Sequence, residues 1–315
     1  VLFRSHRSIV ISASGRWAAQ LRSDGSHHIK LPVGAKRLSA LLTMLRLRTE
    51  LRRLKPDIVH VRSRFPAWLA RFAMIGMRPK PALVSTVHGL NSVSAYSRIL
   101  TRGDRVIAVS KVAQEHLLRH YPKLDPQRIR VIPRGADPVQ FPPGFEVAED
   151  WRKEFYASFP MLSGGHLMTL PGRGTRLKGH GDAIELLARV RAAGVDARLL
   201  LLGLVDVARR EYVGEMRDLA RSLGVERYVG WSPLRGDVRE VFAVSDLVLQ
   251  LSTRPESFGR VVAEALCQGR PVLGYDHGGV GEACIGAAGI DLGDRIARAL
   301  GVLERHVEPL RLVVA

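Results

Sequence analysis

Residues Arg254–Val272 read RPESFGRVVAEALCQGRPV. The stretch leaves the run DLVLQLS (Asp246–Ser252), passes through a Pro-Glu-Ser-Phe-Gly turn and enters an apolar run at helical spacing over Ser257–Gln268. Gly269 and Pro271 stand where a helix stops, and PVLGY (Pro271–Tyr275) follows as another short apolar run. A strand, a crossover helix and a second strand with no polar alternation describe a parallel sheet buried on both faces.

The same rhythm extends outward in both directions. IVISAS (Ile9–Ser14), DIVHVRS (Asp57–Ser63), LVSTVHG (Leu83–Gly89), RVIAVS (Arg105–Ser110) and IRVIP (Ile129–Pro133) read as strands, with helices over Leu38–Leu54 and Lys111–Arg119. FPPGF, an acidic patch and SGG interrupt it over Phe141–Gly165. It resumes with HLMTL (His166–Leu170), ARLLLLGL (Ala197–Leu204), RYVGW (Arg227–Trp231) and the two strands of the opening stretch. The fold class is α/β, as two successive parallel-sheet units facing a cleft, and ligands of such sheets bind at the carboxyl ends of strands. The expected boundaries are a first domain over 1–143, a linker or hinge over 144–165, a second domain over 166–289 and a C-terminal helical tail over 290–315.

A chain of 315 residues with 46% hydrophobic and 25% charged residues has room for both cores. Cys267 and Cys284 lack metal-ligand spacing and cannot build a disulfide framework, which fits a reducing cytoplasm. No signal peptide and no spanning apolar run is evident. The net charge of +18 is unevenly placed: residues 1–150 hold 26 Lys and Arg against 10 Asp and Glu, or +16, and the rest 22 against 20, or +2. The first half is therefore expected to meet something anionic. Over Leu38–Leu54, leucines at helical spacing accompany Arg46, Arg48, Arg52 and Arg53. The leucine stripe either packs on the sheet beneath solvated arginines or meets an anionic membrane. Nucleic acid is not expected as a partner, because the chain lacks aromatic-basic interleaving, zinc-finger spacing or a recognition-helix pattern.

The turn at Ser257, Phe258 and Gly259 exposes backbone N–H groups at a helix start, a seat for phosphate that Gly259 keeps open. Glu256 lies before this helix and Glu264 about 7–9 Å further along it, at ~1.5 Å per residue, near a diphosphate-to-ribose span. Glu264 suits ribose hydroxyls and Glu256 the group beyond the phosphates, unless the first simply favours the helix dipole and the second is solvated. LPGRGTRLKGH brings Arg173 and Lys178 to the end of the strand His166–Leu170. There, cations would stabilise a departing diphosphate; an ordinary basic loop is the alternative. No D-x-D pair occurs, so no metal is expected. His88 ends a strand beside Gly89 and is either structural or directed at the cleft.

PESFGRVVAEAL followed by GRPVLGYDHGGVGE resembles the E-x7-E and GG-x-x-E signatures of family 4 retaining glycosyltransferases. DIVHVRS, STVHGLNS, RVIAVS, IRVIPRGAD and LPGRGTRLKGH follow in that family's order. The resemblance implies the GT-B fold and transfer of a sugar from a nucleotide-sugar co-substrate to an acceptor hydroxyl with retained configuration, without a further cofactor. It implies catalytic roles for Glu256 and His88 at the donor sugar, with Glu256 binding hydroxyls rather than acting as nucleophile. Arg173, Lys178 and the amides of Ser257, Phe258 and Gly259 would hold the diphosphate, Glu264 the ribose, and backbone near Tyr228–Gly230 the base. The acceptor expected is a lipid-linked or cell-envelope glycan such as lipopolysaccharide, with the protein at the inner face of the plasma membrane. A basic nucleic-acid-binding protein, a sugar epimerase or phosphorylase of the same fold, and a non-catalytic relative are the rivals. Three departures stand out: no match to the family's first strand and Gly-rich loop in a chain opening VLFRSHRSIV, Arg134 where Asn is common, and an early end after GGVGEACIGAAGI. A piece of a longer enzyme that binds donor yet turns over poorly is expected.

Overall fold

The computed structural model describes residues 6–15, 18–35, 39–285 and 311–313, and the chain divides into two units at Ile132/Pro133. The first contains β1 (Ile9–Ser12), α1 (Ala18–Ser23), β2 (His27–Lys30), α2 (Ala40–Leu54), β3 (Ile58–Val61), α3 (Arg64–Ala73), β4 (Ala82–Val87), β5 (Arg105–Ala108), α4 (Lys111–His120) and β6 (Ile129–Val131). Strands β3-β4-β5-β6 form one parallel sheet in that order, and β1 pairs with β2 in a separate parallel ladder. β2 was not legible in the sequence, because HHIK has neither an apolar run nor alternation. The buried hydrophobic residues of the main sheet are Val61, Leu83, Val87, Val106, Ala108 and Ile129, and Ala67, Ala70 and Ala73 of α3 are buried as well.

On α2, Thr43, Leu47 and Leu51 are the buried residues, one per helical turn. Leu41, Leu42 and Leu45 are 64, 61 and 48% exposed, so these leucines do not pack on the sheet as one expectation held. Leu38 lies outside the described residues. Arg48 on this helix donates to the carbonyls of Ala73 and Ile75 at 2.9 and 2.5 Å, closing the end of α3.

The second unit contains α5 (Glu149–Ser158), β7 (His166–Pro171), α6 (His180–Ala192), β8 (Ala197–Val205), α7 (Arg210–Ser222), β9 (Val229–Pro233), α8 (Val238–Val244), β10 (Leu247–Gln250), α9 (Arg260–Cys267), β11 (Val272–Gly274), α10 (Gly279–Ile285) and β12 (Arg311–Val313). Its sheet runs β12-β11-β10-β7-β8-β9, parallel except for β12. Leu199, Leu200 and Leu201 of β8 are wholly buried, as a central strand covered on both faces requires.

Two boundaries differ from expectation. The segment foreseen as a hinge carries α5, whose Trp151 stacks on Phe155. Phe155, Phe159 and Leu162 pack against Leu167, Leu200 and Val241, and Phe141 joins the cluster around Phe242. Aromatic burial thus ties this segment to the second unit. In the expected helical tail, Arg311–Val313 is instead a strand antiparallel to β11, where it pairs backbone groups of a sheet edge; the rest of 290–315 lies outside the described residues. Among the described residues no helix is long and apolar enough to cross a membrane.

Candidate active site

The loop after β7 and the loop after β10 meet at the carboxyl edge of the second sheet. Gly179 lies in the left-handed region at φ +69°, and a Cβ there would fall 1.9 Å from the Leu251 carbonyl oxygen. A Cβ on Gly174 would fall 2.6 Å from the Leu204 carbonyl. Glycine at both positions lets the β7–α6 loop lie directly on neighbouring strand ends, which carries Lys178 to the β10 loop.

Lys178 Nζ contacts Glu256 Oε1 at 2.5 Å. Ser252 Oγ also donates to Glu256 Oε1 at 2.5 Å, while Gln250 Nε2 donates to Ser252 Oγ at 3.2 Å. Burial of Glu256 works against its charge. The hydrogen bonds from Lys178 and Ser252, the ammonium of Lys178 and the Gln250 amide outweigh it and hold the carboxyl below the usual carboxylate range.

The double glycine Gly278–Gly279 seats the loop from behind. Gly279 N donates to the Glu256 carbonyl at 2.7 Å, and a Cβ on Gly278 or Gly279 would fall 2.4 Å from the carbonyl oxygen of Glu256 or Ser257. His277 Nε2 lies 2.7 Å from the Ser252 carbonyl and ties the same two loops together. The GG-x-x-E signature is therefore a packing surface for the Pro-Glu-Ser-Phe-Gly turn.

The remaining candidates take varied places. α9 begins at Arg260, three residues later than Ser257, because Gly259 at φ +80° is the left-handed residue before its first turn. Ser257 and the buried Phe258 belong to the preceding loop. Glu264 on α9 accepts from its own helix, at 3.1 Å from Arg260 Nε and 2.8 Å from Nη2. The two carboxylates thus hold different cations. Arg173 is exposed on the Lys178 loop. In the first unit His88 follows β4, and Arg62 Nε donates to His88 Nε2 at 3.0 Å; an acceptor Nε2 places the ring proton on Nδ1. The backbone foreseen as the base contact, Tyr228–Gly230, spans the start of β9. Tyr228 precedes β9 at its amino end, under the Arg191 guanidinium 3.3 Å above its ring, and Gly230 packs mid-strand on Leu162 and Leu200.

Three residues escaped the sequence reading. Arg62 sat within DIVHVRS with no spacing to mark it. Ser252 closed DLVLQLS as an ordinary strand end. His180 is wholly buried, edge-on to Tyr212 with Nδ1 3.3 Å from its hydroxyl. Burial pushes its imidazole down to about 4, against the opposing pull of the Gly172 and Thr175 carbonyls. Among the described residues no group of three or more His, Cys, Asp or Glu side chains is placed to hold a metal.

The family described as Glycosyltransferase Family 4 matches residues 4–140, and that described as Glycosyl transferases group 1 matches residues 160–288. The chain belongs to glycosyltransferase family 4. This family 4 glycosyltransferase is 30% identical over 187 residues to the D-inositol 3-phosphate glycosyltransferase of Corynebacterium kroppenstedtii, covering 58% of the chain. The match spans 40% of that relative's own length. A glycosyltransferase from Rickettsia africae has the same fold, with a TM-score of 0.77 at 24% identity over 95% of this chain and 81% of that one. HepE of Anabaena, crystallised with UDP-glucose, gives 0.72 at 21% identity over 87% and 74%. The fold is GT-B, with a parallel Rossmann-like sheet in each unit.

Proposed function

We propose that this chain transfers a sugar from a nucleotide-sugar donor to an acceptor hydroxyl with retention of configuration. The observation that carries the reading is the contact of Lys178 with Glu256 at the carboxyl edge, a cation for the leaving diphosphate beside a carboxylate for the sugar. As the bond from C1 to the phosphate oxygen breaks, its electron pair leaves with the nucleoside diphosphate. Arg173 and Lys178 stabilise that growing charge more than they stabilise the ground state. The acceptor oxygen bonds to C1 and its proton passes to the departing phosphate. Glu264 releases Arg260 to take the ribose hydroxyls, and the Ser257–Gly259 amides face the phosphates. Two cations serve in place of a divalent metal, so chelator leaves the rate unchanged.

UDP-glucose is the first donor to try, because HepE binds it in the same fold. For the acceptor, a cell-envelope glycolipid such as lipopolysaccharide core stands beside the phosphorylated inositol in the relatives' name. Exposure of Leu41, Leu42 and Leu45 on the arginine-bearing α2 favours work at an anionic membrane surface on the cytoplasmic side, where a lipid-linked acceptor resides. A thermal-shift screen against UDP-, GDP-, ADP- and TDP-sugars tests donor binding. A donor at 100 times its Kd adds about 2.7 kcal/mol, and no shift with any of the four ends the reading. Incubation of the responding donor with each acceptor, followed by product analysis, separates transfer from epimerisation and phosphorolysis.

A further inference from the structure

Strand β10 and the residue pair after it read Leu-Val-Leu-Gln-Leu-Ser, and its Gln250 and Ser252 are only 2 and 3% exposed. Buried amides and hydroxyls destabilise a strand unless they are hydrogen-bonded, and these two are bonded to one another and to Glu256. We propose that Ser252 and Gln250 are positioning residues that orient the Glu256 carboxylate and keep it an acceptor toward the donor sugar. The inference rests on the reading that Glu256 belongs to the donor site.

The proton arrangement follows from the donor inventory. Lys178 Nζ lies 3.5 Å and Gln250 Nε2 3.2 Å from Ser252 Oγ, and an ammonium and an amide nitrogen only donate. They occupy the acceptor sites of the Ser252 hydroxyl, whose single proton therefore points at Glu256 Oε1. That oxygen receives Lys178 as well, so a proton on it is opposed from two sides. The bonds from Lys178 and Ser252 both fall on Oε1, and Oε2 can accept from a sugar hydroxyl. Besides Glu256, the titratable side chains among the described residues that bond to the network are Lys178 from the β7–α6 loop and His277, which reaches the Ser252 carbonyl from the segment after β11. Neither replaces the Ser252 proton, since Lys178 already donates to the same oxygen.

The test is a carboxylate titration by NMR on the whole chain labelled with 13C-glutamate, with Glu256→Gln assigning the resonance. Ser252→Ala is expected to raise the Glu256 midpoint by about one pH unit, the size of a lost hydrogen bond to a charged group, and Ser252→Thr to restore it. Where transfer is measured, Ser252→Ala lowers kcat and moves its acid limb upward by the same amount, while donor Kd from thermal shift changes less than about threefold. If Ser252→Ala does not fold, Gln250→Leu is read the same way with a smaller shift. An unmoved midpoint in the folded variants overturns the inference while leaving the donor site intact. Glu256→Gln with parental donor binding and parental transfer overturns the donor-site reading instead.

Discussion

Lys178 Nζ and Glu256 Oε1 meet at 2.5 Å across 78 residues of sequence. Each side chain is about a quarter exposed, so this pair is neither a screened surface contact nor a fully desolvated one. On the proposed function, a donor diphosphate competes with Glu256 for the same ammonium. Lys178→Ala is therefore expected to abolish the donor-induced thermal shift and to cost about 1–2 kcal/mol of stability by leaving a half-buried carboxylate with one partner fewer. Lys178→Arg recovers stability better than affinity, since a planar fork does not replace a point charge held at this spacing. Chemical denaturation and the sugar-nucleotide shift, run on both variants, give the two readouts.

Gly179 and Gly194 separate backbone strain from collision. Both lie in the left-handed region, at φ +69° and +86°, but an added Cβ at Gly194 meets nothing within 4 Å whereas at Gly179 it strikes the Leu251 carbonyl at 1.9 Å. Gly194→Ala should cost about 1 kcal/mol, the conformational penalty alone. Gly179→Ala should cost upward of about 3 kcal/mol, or displace the loop and remove donor binding. Equal urea midpoints for the two variants would refute this view of how the loop is held.

His180 makes stability depend on pH. Its folded value of about 4 lies below the ordinary 6.5, so between those values the unfolded chain binds a proton that the folded chain does not. Stability from this group is complete above pH 6.5 and is lost as pH falls toward 4. The full loss is about 3 kcal/mol, since each pH unit between the two values is worth about 1.4 kcal/mol. Urea unfolding at pH 7 and pH 5 should show the parent losing roughly 2 kcal/mol and His180→Gln losing little from this source. A slope identical in both proteins would show that another group governs the acid limb.

Most strands were readable because both faces of a parallel sheet are apolar: the runs ending at Ser63, Ser110 and Ser252 each contain the strand found. Glu256 and Lys178 were readable through turn chemistry and charge at strand ends. What stayed hidden depended on contacts distant in sequence. His180 is a lone histidine until Tyr212 and the loop backbone surround it. Tyr228 could not be placed at the amino end of β9 until that strand was bounded at Val229. α5 was passed over because Pro and Gly flanking it signalled a linker more loudly than its aromatic face signalled a helix.

Arg260 and Glu264 form a pair at i, i+4 with the arginine 62% exposed. Arg260→Ala should change stability by less than about 0.5 kcal/mol and leave donor binding intact or slightly tighter, since it frees the carboxylate for ribose. Glu264→Gln should keep the fold and weaken UDP-, GDP- and ADP-sugars alike, because ribose is common to them, and TDP-sugars less, because their deoxyribose lacks the 2′-hydroxyl. A loss confined to one base would move Glu264 out of the ribose position.

On α2, the buried residues Thr43, Leu47 and Leu51 already anchor the helix to its unit, so Leu41, Leu42 and Leu45 contribute little to the fold from where they stand. Burying three leucines in a lipid interface is worth several kcal/mol at about 25 cal/mol per Å², and neighbouring arginines add attraction to anionic headgroups. Replacing all three with serine should leave the melting temperature within a few degrees of the parent. Co-sedimentation with vesicles containing phosphatidylglycerol should fall several-fold, and binding by the parent should itself weaken with added salt. Undiminished sedimentation of the triple variant would take the membrane away from this helix, and equal binding of the parent to neutral vesicles would remove the arginines from the account.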